Sequence, residues 1–194
     1  MSDAWFYFKY GWEHIISFDA LDHQLFILAL TILFTIKEWN KVLILISAFT
    51  IGHSITLALS TLNILNLPNH LTEFLIPCTI VITALANILK TVKDYKTIRI
   101  NYFFALFFGL VHGLGFANYL KFMLAKDQSL GWSLLLFNLG LEVGQIVVVT
   151  MILVFIYVLL NYLKFNRRYL IIIASAIVLA IALKIAVERI PFTN

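Results

Sequence analysis

Residues 130–162 form an apolar run that is interrupted by a single charged side chain, Glu142. As an α-helix rising about 1.5 Å per residue, this run is roughly 50 Å long, whereas the hydrocarbon core of a bilayer is about 30 Å thick. The helix must therefore tilt, project from the membrane, or break, and Gly140 and Gly144 mark the place where a break is expected. A run of this kind predicts a protein that spans a membrane.

The rest of the chain has the same character. Hydrophobic residues make up 62% of the 194 residues and charged residues 12%, and the mean hydropathy is +0.96. Soluble domains contain about 25% charged residues. We therefore expect an all-α polytopic membrane protein with one transmembrane domain over residues 1–194. Its predicted elements are an aromatic-rich interfacial or re-entrant helix at 4–18 and about six spans, at 21–36, 42–65, 71–89, 100–124, 130–162 and 169–187.

The basic residues indicate how these spans are oriented. Most of them lie in the loops after the first, third and fifth predicted spans, namely Lys37, Lys41, Lys90, Lys93, Lys96, Arg99, Lys164, Arg167 and Arg168. The positive-inside rule places these loops in the cytoplasm and both termini outside. The N-terminus has neither a basic region nor a small-residue cleavage site, so we expect it to be uncleaved. No basic cluster is interleaved with exposed aromatic residues, so we expect the lipid bilayer, and no nucleic acid, as a partner.

Three ionisable residues lie at matching depth inside the predicted spans. His53 and His112 are each about 17 Å from the cytoplasmic start of their span, and Glu142 is also near the middle of its span. An ionisable side chain in hydrocarbon is costly, and it usually faces the interior of a helix bundle, where it marks a functional site. The glycines around His112 favour close packing against other helices.

Further polar residues are expected to join them. His14, Asp22 and His23 lie near the outer end of the first span, and the supporting polar residues are Asp19, Thr50, Ser54, Asn138 and Gln145. Together they predict a cavity in the outer half of the bundle, lined by imidazole and carboxylate groups, which are ligands of divalent transition-metal ions. Two alternatives stay open: Asn138 and Gln145 could form interhelical hydrogen bonds, and Asp22 could cap a helix.

Several motifs in this chain resemble those of the HupE/UreJ family of hydrogenase and urease accessory membrane proteins. They are Gly11-x-x-His14, Asp22-His23-x-x-Phe26, Phe49-Thr50-x-x-His53-Ser54, Phe107-Phe108-Gly109-Leu110-x-His112-Gly113-Leu114-Gly115-Phe116, and Phe137-Asn138-x-Gly140-x-Glu142-x-Gly144-Gln145. The resemblance implies movement of nickel or cobalt across the bacterial inner membrane, with His14, Asp22, His23, His53, His112 and Glu142 as the metal path. The chain departs from the family's usual first motif, since Ile15 and Phe18 replace a proline and a glycine and the spacing from His14 to His23 is longer.

The sequence is therefore compatible with three functions. The first is a permease with the metal ion as its substrate, acting without ATP because the chain has no phosphate-binding loop. The second is an intramembrane zinc-dependent hydrolase or transferase acting on lipid, with zinc as its cofactor and Glu142 or Asp22 as general base. The third is an accessory scaffold whose polar residues only pack helices. The identity of the metal, the direction of transport and the oligomeric state are left open by the sequence.

Overall fold

The computed structural model describes residues 3–17, 20–89, 98–124 and 130–191, and within these ranges it is helical without a β-strand. The α-helices are α1 (Asp3–Ile16), α2 (Leu21–Thr31), α3 (Trp39–Thr61), α4 (Asn69–Leu89), α5 (Ile98–Leu124), α6 (Leu130–Asn161) and α7 (Arg167–Glu188), with a 3₁₀ helix at Ile36–Glu38 before α3. The predicted all-α class is confirmed. Asp19 and the predicted loop at 90–97 lie outside the described residues.

Four helical segments are long and apolar enough to cross a membrane by length and composition. They are Ile36–Thr61, Asn69–Leu89, Gly131–Asn161 and Arg167–Glu188, and two shorter apolar helical stretches cover Leu21–Thr31 and Tyr102–Phe116. The predicted first span is therefore represented by a helix of only 11 residues. Association with a lipid bilayer follows from the four long spans, whereas the total of six spans, the interfacial position of the N-terminal helix and the single domain stay predictions.

Helices α3 and α5 approach each other closely enough for backbone contact. A Cβ atom at Gly52 would overlap the carbonyl oxygen of Leu106, and a Cβ atom at Gly109 would overlap that of Phe49. Small residues at such positions let helices in a membrane pack closely, because the backbones then meet directly. The two histidines of these helices are consequently brought to the same part of the bundle.

Helices α1 and α6 show the same reciprocal contact. A Cβ atom at Gly11 would overlap the carbonyl oxygen of Phe137, and a Cβ atom at Gly140 would overlap that of Phe8. Helix α6 is continuous for 32 residues, so of the three alternatives for this long run the break does not occur. Gly140 and the nearby Gly144 accommodate α1, which lies against the N-terminal half of α6.

The short helix α2 ends inside the protein, and side chains from other helices bond to one carbonyl group of its last turn and to one in the segment that follows it. Asn87 on α4 donates a 2.7 Å hydrogen bond to the carbonyl oxygen of Ala29, and Arg167 at the start of α7 donates one of 2.8 Å to that of Leu33. A helix end away from water requires such partners, because an unpaired backbone group in an apolar region is costly. These bonds explain how α2 can stop short of a full span.

Candidate metal-binding site

Four histidines from four different helices meet at one place in the bundle. His14 lies on α1, His23 on α2, His53 on α3 and His112 on α5. The ring of His23 is central: its centroid is 4.8 Å from that of His14, 4.9 Å from that of His112 and 6.1 Å from that of His53. The predicted convergence of these side chains is therefore observed for the four imidazoles.

Most ring nitrogens in this cluster have no hydrogen-bond partner among the described residues. These atoms are Nε2 of His14, Nε2 of His23, both ring nitrogens of His53, and Nδ1 of His112. His53 and His112 are fully buried, and His23 is 4% exposed. A buried polar atom without a partner costs about 1–3 kcal/mol, and native proteins contain few of them. Such a concentration of unpaired imidazole nitrogens at one place calls for a functional explanation.

Asp22 orients the central imidazole. One of its carboxylate oxygens, Oδ1, lies 2.9 Å from His23 Nδ1 and also accepts a 2.8 Å hydrogen bond from the backbone N–H of His23. When Nδ1 carries the proton that faces this carboxylate, Nε2 keeps its lone pair and can bind a metal ion. The contact of the Asp22 carboxylate with the His23 side chain therefore replaces the alternative in which Asp22 only caps a helix.

Aromatic rings enclose the histidine cluster. Phe116 lies against His14 with a centroid distance of 4.0 Å, and Phe49 and Phe26 lie 5.2 Å and 5.4 Å from His112. An apolar shell around a metal site limits the access of water and lowers the local dielectric constant. Apolar rings thus surround the imidazoles, and Phe116 also lines a cavity at the site.

A cavity of about 620 Å³ leads to three of the four histidines. Its lining combines imidazole, carboxylate and guanidinium groups with apolar side chains: Tyr10, Glu13, His14, Ser17, Ala20, Asp22, His23, Glu73, Ile76, His112, Gly115, Phe116 and Arg189. His53 does not belong to this lining and lies behind the other imidazoles. The cavity therefore combines charged side chains with three of the four imidazole rings.

Glu142 lies apart from this cavity. Its Oε1 accepts a 2.8 Å hydrogen bond from the Ser47 hydroxyl group on α3, and it does not contribute to the lining. One turn further along α6, Gln145 accepts a bond of the same length from Thr50. Glu142 and Gln145 of α6 therefore both bond to α3, and neither lines the cavity.

The remaining supporting residues form bonds within their own helices. Asn138 donates to the carbonyl oxygen of Leu134 at 2.9 Å, and Ser54 donates to that of Thr50 at 2.7 Å. The Asn138 Oδ1 atom is buried without a partner among the described residues. For Gln145 and Thr50 the structure contains the interhelical hydrogen bond that was the alternative to metal binding.

Three residues of the site were not identified from the sequence. Thr79 lies 3.4 Å from His112 Nε2, Glu13 lines the cavity, and Arg189 lines it from the residue that follows α7. No local pattern marks Arg189, because its neighbours in the site are far away along the chain. Glu13 is distinguishable only by its position one residue before His14.

The histidine cluster is not arranged as a finished coordination sphere. Among the described residues, no group of three or more His, Cys, Asp or Glu side chains is positioned to hold a metal ion. Metal–nitrogen bonds of about 2.0–2.1 Å require ring nitrogens that point to a common centre. The imidazoles would have to turn to bind an ion.

Comparison with known proteins gives one match. A sequence model described as HupE / UreJ protein matches residues 1–189, which include every described helix and all of the candidate site residues. No curated protein and no solved structure matches the chain.

Proposed function

Because the chain belongs to the HupE/UreJ family, we propose that it is a permease for a divalent transition-metal ion, nickel or cobalt, in the bacterial inner membrane. The observation that carries this proposal is the group of unpaired imidazole nitrogens at the end of a charged cavity. Neutral imidazole binds nickel, cobalt and zinc, and the group contains no thiolate that would retain a soft ion. A site for passage must bind weakly enough to release its ion.

The cavity opens at the end of the bundle that the charge distribution places outside. At the opposite end, Arg167 bonds to the carbonyl oxygen of Leu33, so the loop before α7 and the loop before α3 lie side by side. Both loops carry basic residues that the positive-inside rule assigns to the cytoplasm. This arrangement supports external termini and an ion that enters from outside.

The path begins with carboxylates and continues with imidazoles. Asp22 and the acidic side chains near it attract the hydrated ion, and His23, held by Asp22, presents Nε2 as a ligand. His14 and His112 lie close enough to His23 to share the ion after a turn of their rings, and the buried His53 is the next ligand inward. Imidazole binds metal only when it is neutral, so protons compete with the ion at each of these steps.

Glu142 is assigned to the inner part of the same path. Its carboxylate lies between α3 and α6, on the helix face reached from His53 through Thr50. An intramembrane carboxylate is retained where a cation or a proton uses it. The hydrogen bond from Ser47 would hold this carboxylate in place between passages.

The family match favours the permease over a zinc enzyme. A catalytic zinc ion is held by three protein ligands and keeps an open position for water. In the described part of the chain the imidazoles would have to turn to form such a set, for zinc as for nickel. The scaffold alternative, in turn, gives no reason for several buried imidazole nitrogens to lack hydrogen-bond partners.

The test is metal binding by the purified protein in lipid nanodiscs, measured by calorimetry with Ni²⁺, Co²⁺, Zn²⁺, Cu²⁺ and Mn²⁺. Wild type is compared with His112→Ala and with His70→Ala, whose imidazole is exposed and does not line the cavity. Weak, reversible Ni²⁺ or Co²⁺ binding that is lost only in His112→Ala supports the permease, and flux into liposomes then measures transport. A tightly retained zinc ion would point to the enzyme, and the absence of any metal binding would leave the scaffold.

A further inference from the structure

Among the described residues that line the cavity, Arg189 is the one with a permanently positive side chain. Its Nη1 atom lies 3.9 Å from Asp22 Oδ2 and donates a 3.4 Å hydrogen bond to the carbonyl oxygen of Glu73. The guanidinium group stays charged at every pH at which the protein is folded. A permanent positive charge therefore lies at the entrance through which a metal cation would have to pass.

The two oxygens of the Asp22 carboxylate face different partners. Oδ1 accepts both hydrogen bonds from His23, whereas Oδ2 faces Arg189. The same carboxylate therefore orients the central imidazole and neutralises the guanidinium. A metal ion that approaches His23 competes with Arg189 for the second oxygen.

The contacts of Arg189 are weak enough for it to be displaced. Its distances to Asp22 and to the Glu73 carbonyl are both long, and its side chain is 38% exposed. Ion pairs of this geometry and exposure contribute little to stability. Arg189 follows the last residue of α7, so its side chain can swing toward solvent without moving the packed part of the helix.

We propose that Arg189 is a tethered counter-ion of Asp22 that determines which cations enter the cavity and how tightly they are held. The proposal rests on the permease function proposed above. A monovalent ion gains little at a carboxylate that is already neutralised. A divalent ion has the charge to displace the guanidinium and gains the Nε2 ligand of His23 in addition. The competition also lowers the affinity for the divalent ion, which favours its release.

The experiment measures the Kd of Ni²⁺ and Co²⁺ in nanodiscs for wild type, Arg189→Gln, Asp22→Asn and the double variant. Arg189→Gln removes the charge that competes with the metal ion for the Asp22 carboxylate. This variant is therefore expected to bind Ni²⁺ at least about fivefold more tightly than wild type. Added KCl is expected to weaken Ni²⁺ binding more in Arg189→Gln than in wild type. In the Asp22→Asn background, the same arginine substitution should leave the Kd unchanged, because the shared carboxylate is gone.

Two further variants separate the local effect from a general change of charge. Lys184→Gln removes the same charge from α7 at an exposed pair with Glu188 outside the cavity, so its Kd should equal that of wild type. Arg189→Lys keeps the charge and should stay close to wild type.

The proposal is overturned if Arg189→Gln binds Ni²⁺ like wild type, or if it binds more tightly even without the Asp22 carboxylate. Equal tightening in Lys184→Gln would also overturn it, because the effect would then be one of net charge. If wild type binds no divalent ion, the permease function fails together with this proposal. Normal binding by wild type with an unchanged Kd in Arg189→Gln refutes the role of Arg189 alone.

Discussion

The Ser47 hydroxyl group on α3 donates a 2.8 Å hydrogen bond to the Glu142 carboxylate on α6. This bond joins two of the long apolar helices and gives a polar partner to an acidic side chain that is otherwise placed among membrane-spanning segments. A carboxylate at such a position is costly, and it is retained where a cation or a proton uses it. The bond and the charge can be removed separately, which makes the pair a test of the inner path.

Substitution of Glu142 by Gln is expected to lower Ni²⁺ flux into liposomes with little loss of stability. The amide oxygen of glutamine still accepts the Ser47 hydrogen bond, whereas the charge that attracts the ion is lost. Substitution of Ser47 by Ala should instead lower stability with little loss of Ni²⁺ flux. It leaves the charge in place and lowers the free energy of unfolding by about 1.5–3 kcal/mol, the range for a hydrogen bond to a charged group. Wild-type flux in Glu142→Gln would remove this residue from the path.

Replacement of His53 by Leu is expected to stabilise the metal-free protein while weakening Ni²⁺ binding. Both ring nitrogens of this fully buried side chain lack partners among the described residues, and each such atom costs about 1–3 kcal/mol. A side chain that costs stability yet serves a function is typical of binding sites. Thermal unfolding and calorimetry on the same nanodisc samples measure both quantities.

His70→Ala is the control for this substitution, because its exposed imidazole should change neither stability nor binding. If His53→Leu is instead less stable than wild type and binds Ni²⁺ equally well, His53 is a packing residue, as the scaffold alternative holds.

Counting residues along the spans was sufficient to predict that His53 and His112 lie at the same depth. It was not sufficient for Glu142, because depth along a helix does not indicate which neighbour the side chain faces. The structure turns Glu142 toward Ser47 and away from the cavity. The orientation of α6 follows from its backbone contact with α1, which involves residues more than a hundred positions away in the chain.

The early end of α2 could not be read from the sequence for a similar reason. Residues 32–36 are as apolar as those before them and predict a longer span. Asn87 bonds to the Ala29 carbonyl group in the last turn of α2, Arg167 bonds to the Leu33 carbonyl group just beyond it, and both donors come from distant helices. Arg189 likewise enters the site only through tertiary packing. Local periodicity identifies helices and their polar positions, whereas such long-range hydrogen bonds and ion pairs appear only in the folded chain.

Alanine at Gly52 is expected to destabilise the protein strongly. The added Cβ atom would overlap the Leu106 carbonyl oxygen, and because that oxygen belongs to the backbone of α5, the two helices must move apart. Overpacking of this kind costs about 1–3 kcal/mol. We expect a lower temperature of thermal unfolding and weaker Ni²⁺ binding, since α3 and α5 each carry one histidine of the cluster.

Gly131→Ala provides the matched control for Gly52→Ala. A Cβ atom there would meet no atom within 4 Å, and alanine is favoured over glycine in a helix by about 0.5–1 kcal/mol. This variant should be as stable as wild type or slightly more stable. Equal losses in both variants would show that the contact with α5 does not determine the effect of Gly52→Ala.

Gln24 connects the end of α1 to α2, and its substitution by Leu is expected to loosen the histidine cluster. Its Nε2 atom lies 3.2, 3.2 and 3.0 Å from the carbonyl oxygens of Ile15, Ile16 and Ser17. Leucine has a similar size but no donor, so these carbonyl groups at the end of α1 would lose their shared partner. We expect a loss of about 1–3 kcal/mol in the free energy of unfolding. Hydrogen–deuterium exchange should increase in α1.

The same substitution tests whether α1 contributes a ligand to the site or only packs against it. His14 lies just before the end of α1, and its ring is 4.8 Å from that of His23, one residue before Gln24. If both imidazoles bind the ion, Gln24→Leu should raise the Kd for Ni²⁺ although it removes no ligand. Asn161→Leu removes a comparable amide donor, the 2.9 Å bond to the Tyr157 carbonyl oxygen, at the far end of α6 and should leave the Kd unchanged. An unchanged Kd in Gln24→Leu, with faster exchange in α1, would show that His23 and its neighbours bind the ion without His14.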